Sequence, residues 1–226
     1  MKVSRSKERI ARERTDFSSY AVGFMVRLRN RLPGWEIPAL THLSKAESAS
    51  VALLKPALTS VTDTRLRKLM TKHIEDELRH AELFEGLLEE WKKKEGGRPQ
   101  TPLPPPAGGA GRMNLMQLLA LFEIGELRGF QGVTAYQQAF GDDPVAAPVI
   151  KSIVRDERFH CHYTHHQLER WKKEGHAKAV DEARHHARKQ DRQAFRRQVW
   201  AFVKVLPQII TYEFLRPFRR TPNATA

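Results

Sequence analysis

Residues 73–96, HIEDELRHAELFEGLLEEWKKKEG, and residues 153–175, IVRDERFHCHYTHHQLERWKKEG, are two copies of one segment. Each carries Asp-Glu-x-x-His, at Asp76–His80 and Asp156–His160, and each runs on to Trp-Lys-Lys, at Trp91 and Trp171. In both, a Leu (Leu88, Leu168) lies eleven residues after the motif Glu and the Trp fourteen, so the copies keep a constant offset of 80 positions. Side chains three residues apart on a helix are neighbours on one face, so Glu77 with His80 and Glu157 with His160 can serve one site together. Met70, His73, Ala81 and Phe84 share the face of Glu77, and Ile150, Ile153 and Cys161 share that of Glu157. Both motifs therefore point into a core.

Upstream of each copy lies a second helix with a Glu where a core residue should be. Leu40, Leu43, Glu47, Val51, Leu54 and Leu58 recur at helical spacing, as do Leu115, Leu119, Phe122, Glu126, Phe130 and Val133. The two glutamates are 79 positions apart, one residue from the offset of the motifs. A carboxylate on an apolar face is costly unless a cation or hydrogen bonds compensate it. Four converging carboxylates and two imidazoles suit a pair of divalent metals with positions open to water or dioxygen. The expected ligands are Glu47, Glu77, His80, Glu126, Glu157 and His160, with Glu77 and Glu157 bridging metals about 3.5–4 Å apart and Glu47 and Glu126 terminal.

Between the halves lies GGRPQTPLPPPAGGAGR (96–112), too rich in Pro and Gly for a helix. Sixteen residues of this connection (97–112) can reach about 50 Å, enough to travel the length of a bundle. The expectation is an all-α chain whose four-helix bundle has its second and third helices, 66–92 and 114–138, running parallel. The domain reading is a basic N-terminal segment and helix over 1–35, the di-metal bundle over 36–175, and a basic helical extension over 176–226. The run VWAFVKVLPQIITYEFL (199–215) contains Lys204, Pro207, Gln208 and Glu213 and is too short and polar to span a bilayer. It is expected to pack against the bundle, with membrane-surface contact as the alternative.

The formal net charge of +13 is concentrated at the ends: residues 1–14 hold six Lys/Arg against two Glu, and residues 176–226 hold eleven against four acids. Such ends can meet an acidic carrier protein, tRNA or an anionic membrane surface, or simply be a solvated face; Arg192, Arg196, Arg197, Arg219 and Arg220 are the expected contacts. A single cysteine, Cys161, excludes an internal disulfide, and MKVSRSKERIARER has no apolar signal core. A cytoplasmic location fits, with peripheral membrane contact as the variant.

A lone Glu-x-x-His is weak evidence, and the chain contains its own control. Glu182-Ala-Arg-His185 matches too, but Lys178, His186 and Lys189 share its face, so it reads as surface. Glu123 competes with Glu126, but it lies 34 residues before Glu157, against 31 for Glu126 and 30 between Glu47 and Glu77. Glu126 fits better. His73, one turn before Glu77, reads as a core or rim histidine, with a seventh ligand or an outer partner as alternatives. Cys161 reads as a buried thiol or a pocket residue, and His162, His165 and His166 as polar surface.

Asp76-Glu77-Leu78-Arg79-His80-Ala81-Glu82 is similar to the corresponding rubrerythrin helix, and Asp156-Glu157-Arg158-Phe159-His160 to the fourth helix of di-iron hydroxylases. Over about residues 36–175 the chain resembles the ferritin-like superfamily of di-iron carboxylate proteins. The resemblance implies a ferritin-like four-helix bundle with a long crossover between its second and third helices. It also implies two iron ions, with manganese as the alternative, and activation of dioxygen for oxidation of an organic substrate, supplied by an external electron donor. The single Cys departs from the rubredoxin domain that rubrerythrins often carry. Two complete motifs depart from the usual ferritin cage and resemble the oxygenase and oxidase branches, among them the tRNA hydroxylases and the ubiquinone-pathway hydroxylases. The leading expectation is a non-haem di-iron oxygenase or hydroxylase. A ferroxidase or iron-handling protein, or a metal-stabilised binding module, is the alternative, and a homodimer is left open.

Overall fold

The computed structural model describes residues 17–95 and 113–215 of the 226. Among them are six α-helices and no strand: α1 (Phe17–Arg29), α2 (Glu36–Leu58), α3 (Thr64–Glu95), α4 (Leu115–Phe140), α5 (Ala146–Trp171) and α6 (Ala177–Leu215). The Pro/Gly connection, the basic residues 1–14, and Arg219 and Arg220 lie outside the described residues. No described helix is long and apolar enough to cross a membrane.

The two halves start their second helices in the same way. Asp63 Oδ1 accepts from the Leu66 N–H at the start of α3, and Asp143 Oδ1 accepts from the Val145 and Ala146 N–H groups at the start of α5. These two aspartates satisfy first-turn donors and place negative charge at the positive end of each helix. They are 80 positions apart, the offset of the Glu-x-x-His copies. α4 begins with a reciprocal capping box between Asn114 and Gln117. It ends at Gly141, whose φ of 54° needs no Cβ clearance.

The stripes read from the sequence are the faces that bury. Leu40, Leu43, Glu47, Val51 and Leu54 are buried on α2, and Leu119, Phe122, Glu126 and Val133 on α4; Leu58, Leu115 and Phe130 are partly buried. They assemble into two apolar clusters at opposite ends of the helices. One holds the start of α2 (Leu40, Leu43), the end of α3 (Phe84, Trp91), the end of α4 (Tyr136, Phe140) and the start of α5 (Ile150, Ile153). The other holds the end of α2 (Val51, Leu54), the start of α3 (Leu66, Met70), the start of α4 (Leu118, Leu119) and the end of α5 (Tyr163, Leu168). Hence α2 and α5 run one way and α3 and α4 the other. α3 and α4 are parallel, and the end of α3 and the start of α4 lie at opposite ends of the assembly.

α2 packs on α3, α3 on α5 and α5 on α4, while α1 and α6 pack on α4 and on each other. α6 is one helix with Pro207 inside it, joined to α5 through a wide turn at Lys172–His176 where Gly175 takes φ 98°. The expectation that 199–215 packs away its apolar residues holds for Ile209, which is buried, but not for Trp200, Ile210 and Phe214, which are exposed. Long amphipathic faces cover only one stripe of a neighbour, and α6 extends past what α4 can cover.

Phe84 is fully buried in the first cluster. Phe84→Ala should cost about 3–5 kcal/mol, the sum of lost transfer energy and a cavity that the neighbours cannot close. The midpoint of chemical denaturation checks this.

Candidate metal centre

Between the two apolar clusters lies a polar layer. Glu47 from α2, His73, Glu77 and His80 from α3, Glu126 from α4, and Glu157 and His160 from α5 are all buried, the least covered only 8% exposed. Their donor atoms form two groups, each with all its atoms within 4.8 Å of one another: Glu47, Glu77, His80 and Glu157; and His73, Glu77, Glu126 and His160. All six residues picked from the sequence are thus together. Glu77 stands in both groups. Glu157 belongs to the first, with its Oε1 3.8 Å from His160 Nδ1 of the second.

His73 is not a rim residue. It is fully buried, its Nε2 lies 3.1 Å from Glu77 Oε1 and 3.3 Å from Glu126 Oε1, and its Nδ1 is hydrogen-bonded to the Tyr163 hydroxyl at 2.7 Å. Its ring stacks on that of His160, with centroids 3.7 Å apart. Position i − 4 from Glu77 was the sequence signal, but Tyr163, 90 residues on, could not be paired with it from spacing.

Two further residues escaped the sequence reading: the aspartates that precede each motif Glu. His160 Nε2 lies 3.3 Å from Asp76 Oδ2 and His80 Nε2 lies 3.6 Å from Asp156 Oδ2, so each aspartate backs the imidazole of the other helix. Arg79 ties both carboxylates together, at 2.9 Å from Asp76 and 2.8 Å from Asp156, and Lys72 adds a contact to Asp76 at 2.6 Å. Carboxylates behind a ligand histidine fix its tautomer and orientation. With Nε2–H toward aspartate, Nδ1 of each imidazole offers its lone pair inward. His80 Nδ1 then faces Glu157 Oε1 at 3.5 Å and His160 Nδ1 faces Glu77 Oε1 at 3.2 Å.

The electrostatics of the protein without cations are those of a site short of positive charge. Burial and the neighbouring Glu77 push the Glu47 carboxyl well above the usual carboxylate range, and burial with Glu126 does the same to Glu157. Burial also acts to raise Glu126 and Glu77, but His73 and His160 outweigh it, holding Glu126 at about 2 and Glu77 well below its ordinary value. Burial would depress His160, yet Asp76, Glu126 and Glu77 push it well up. Protons thus supply the positive charge that the carboxylates need. Even so, Glu77 Oε2, both ring nitrogens of His80 and His160 Nδ1 are buried without an aligned hydrogen-bond partner. Buried polar atoms are rarely left so, and orphans concentrated on a carboxylate–imidazole cluster are what a cation would satisfy. These groups can hold a metal ion.

A cavity of about 570 Å³ adjoins the layer between α2 and α4, roofed by α1 and α6. Glu47, Glu77, Glu126 and Glu157 line it, whereas His73, His80 and His160 do not. The carboxylate side faces the cavity and the imidazole side is backed by protein. Cys161 is not among the lining residues.

Glu123 belongs elsewhere. Its carboxylate accepts from Arg184 Nε at 2.7 Å and Nη2 at 2.8 Å and sits 2.8 Å from His165 Nδ1; Arg184 Nη1 reaches Glu169 at 2.7 Å. His165 is therefore not plain surface as expected. Glu182 and His185 of the third Glu-x-x-His are exposed, while Arg184 between them is the buried residue. Arg184→Ala should leave two carboxylates facing each other without their fork and cost about 2–4 kcal/mol. Its metal content should be unchanged; thermal denaturation and elemental analysis of the variant check both.

Comparison with known proteins finds no matching family model, no matching curated protein and no matching solved structure.

Proposed function

We propose that the chain is a ferritin-like, di-metal oxidoreductase, an oxygenase or hydroxylase that uses dioxygen and an external electron donor to oxidise an organic substrate. The observation that carries this reading is the pair of four-residue groups sharing Glu77, with their carboxylates on the cavity side. Glu47, Glu77, His80 and Glu157 would hold one metal and His73 or His160, Glu77 and Glu126 the other. Iron is the metal proposed, with manganese as the alternative, because a carboxylate-rich set with few imidazoles suits hard to borderline divalent ions. When bound, such a pair supplies reducing electrons to dioxygen. The helix directions, with α3 and α4 parallel across a long connection, support the same class.

The chain's own part is positioning and exclusion. Asp76, Asp156 and Arg79 hold His160 and His80 in one orientation, and the apolar clusters close the layer at either end of the bundle. The cavity is far larger than an iron ion needs, which favours an organic substrate over ferroxidase chemistry. Exposed Arg192, Arg196 and Arg197 on α6 support docking of an acidic partner such as the electron donor or a carrier. The test is oxygen uptake by iron-loaded, reduced protein with and without cell extract. Uptake coupled to an oxidised organic product supports the proposal; multiple turnovers with ferrous iron alone and no organic product would make the protein a ferroxidase.

A further inference from the structure

We infer that the cavity between α2 and α4 is a binding site for a largely apolar organic molecule, presented by an uncharged end to the carboxylate face of the metal layer. This deepens the proposed function and rests on it for the substrate role, but the binding itself does not. Much of the wall is aliphatic or aromatic, with Leu53 from α2, Val26 from α1, Phe122 and Val133 from α4 and Phe202 from α6. The volume, about 570 Å³, is that of a site for a molecule of drug-like size.

The floor on α4 is kept open by glycines. Gly125, Gly129 and Gly132 all line the cavity, and each glycine inside a helix costs about 1 kcal/mol relative to alanine. Packing does not demand this at Gly132, which is buried yet whose added Cβ would meet nothing within 4 Å. At Gly129 a Cβ would come to 3.4 Å from Glu157 Oε2, an ordinary contact. Open space beside a buried helical glycine that lines the cavity is room for a ligand, not slack in the core.

The inner end supplies the second indication. Glu77, only 1% exposed, lines the cavity there together with Glu47, Glu126 and Glu157. The wall also contains Arg29, Arg128 and Arg197: Arg29 donates to the Tyr136 hydroxyl, Arg128 is ion-paired with Asp191, and Arg197, on α6, is exposed. The four glutamates repel an anionic group at the inner end. A cation would compete with the metals. The end presented to the layer is therefore uncharged.

The test uses the full chain, metal-loaded, with N-phenyl-1-naphthylamine, a neutral aromatic probe whose fluorescence rises in apolar surroundings. The wild type should bind it saturably at one site per chain. Gly132→Leu from the α4 floor and Ala49→Phe from the facing α2 wall should each weaken binding at least tenfold, with metal content and helical circular dichroism unchanged. Gly86→Leu, at an exposed position on α3 with open space around it, should bind as the wild type does. If one cavity variant fails to fold, the other decides. Wild-type-like binding by a folded cavity variant would place the probe elsewhere, for example on exposed Trp200 and Phe214, and overturn the inference, as would absence of saturable binding. Loss of metal from the wild type with probe binding intact would instead count against the proposed function alone.

Discussion

Glu77→Ala is expected to leave the chain with no bound metal, the largest effect of any single substitution at the site. Glu77 is the one residue common to both donor groups, so its removal takes a ligand from each ion at once and leaves a void between two cations. Glu47→Ala and Glu126→Ala each touch one group and should lose one ion preferentially. Asp156→Asn acts only through His80, and substitutions of this outer kind typically weaken metal affinity about 10–100-fold without abolishing it. Glu182→Ala, on the exposed third Glu-x-x-His, should retain the full complement. Elemental analysis of purified variants reads all of these; full metal content in Glu77→Ala would break the assignment of the shared ligand.

Stripping the metals should lower the melting temperature by about 10 °C or more. An ion held at a thousand times its dissociation constant stabilises the folded state by about 4 kcal/mol. For a chain of this size each kcal/mol shifts the melting temperature by about 2–4 °C. The metal-free protein should also become less stable as pH rises from the ordinary carboxylate range toward neutrality. Glu47 and Glu157 have folded-state values raised above their unfolded ones, so the folded state binds more protons than the unfolded state across that interval. The raised value of His160 acts in the same direction, its contribution being present at low pH and lost as pH rises through the folded value. Glu77 and Glu126, with lowered values, lose their contribution only on the acid side. The double variant Glu47→Gln/Glu157→Gln should therefore flatten the neutral limb of the metal-free profile and reduce the metal-dependent rise to that of one ion. Calorimetry across pH, with and without chelator, measures both.

The ligand positions were legible because the sequence repeats them. Two Glu-x-x-His motifs at a constant offset, each preceded by a core-facing Glu, define four inward carboxylates with no need of tertiary information. The parallel relation of α3 and α4 was legible from the length of the connection between them. What stayed hidden depends on partners far away in the chain. Tyr163 is what turns His73 inward, and Asp76 serves His160 across 84 positions. Periodicity identifies a face but not the residue opposite it. Arg184 was concealed inside a motif discarded as surface, because its burial is set by Glu123 and Glu169 on other helices. The cavity had a faint signal in the glycines of α4, but an empty volume is defined by four elements at once and no single stripe reports it.

Metal stoichiometry of the natively purified chain tests the central claim most directly. Elemental analysis with an independent protein concentration should find two ions per chain, matching the two donor groups that share Glu77. One ion or fewer in protein prepared with metal in excess would contradict the dinuclear account, because the two groups would then be alternative arrangements around a single site.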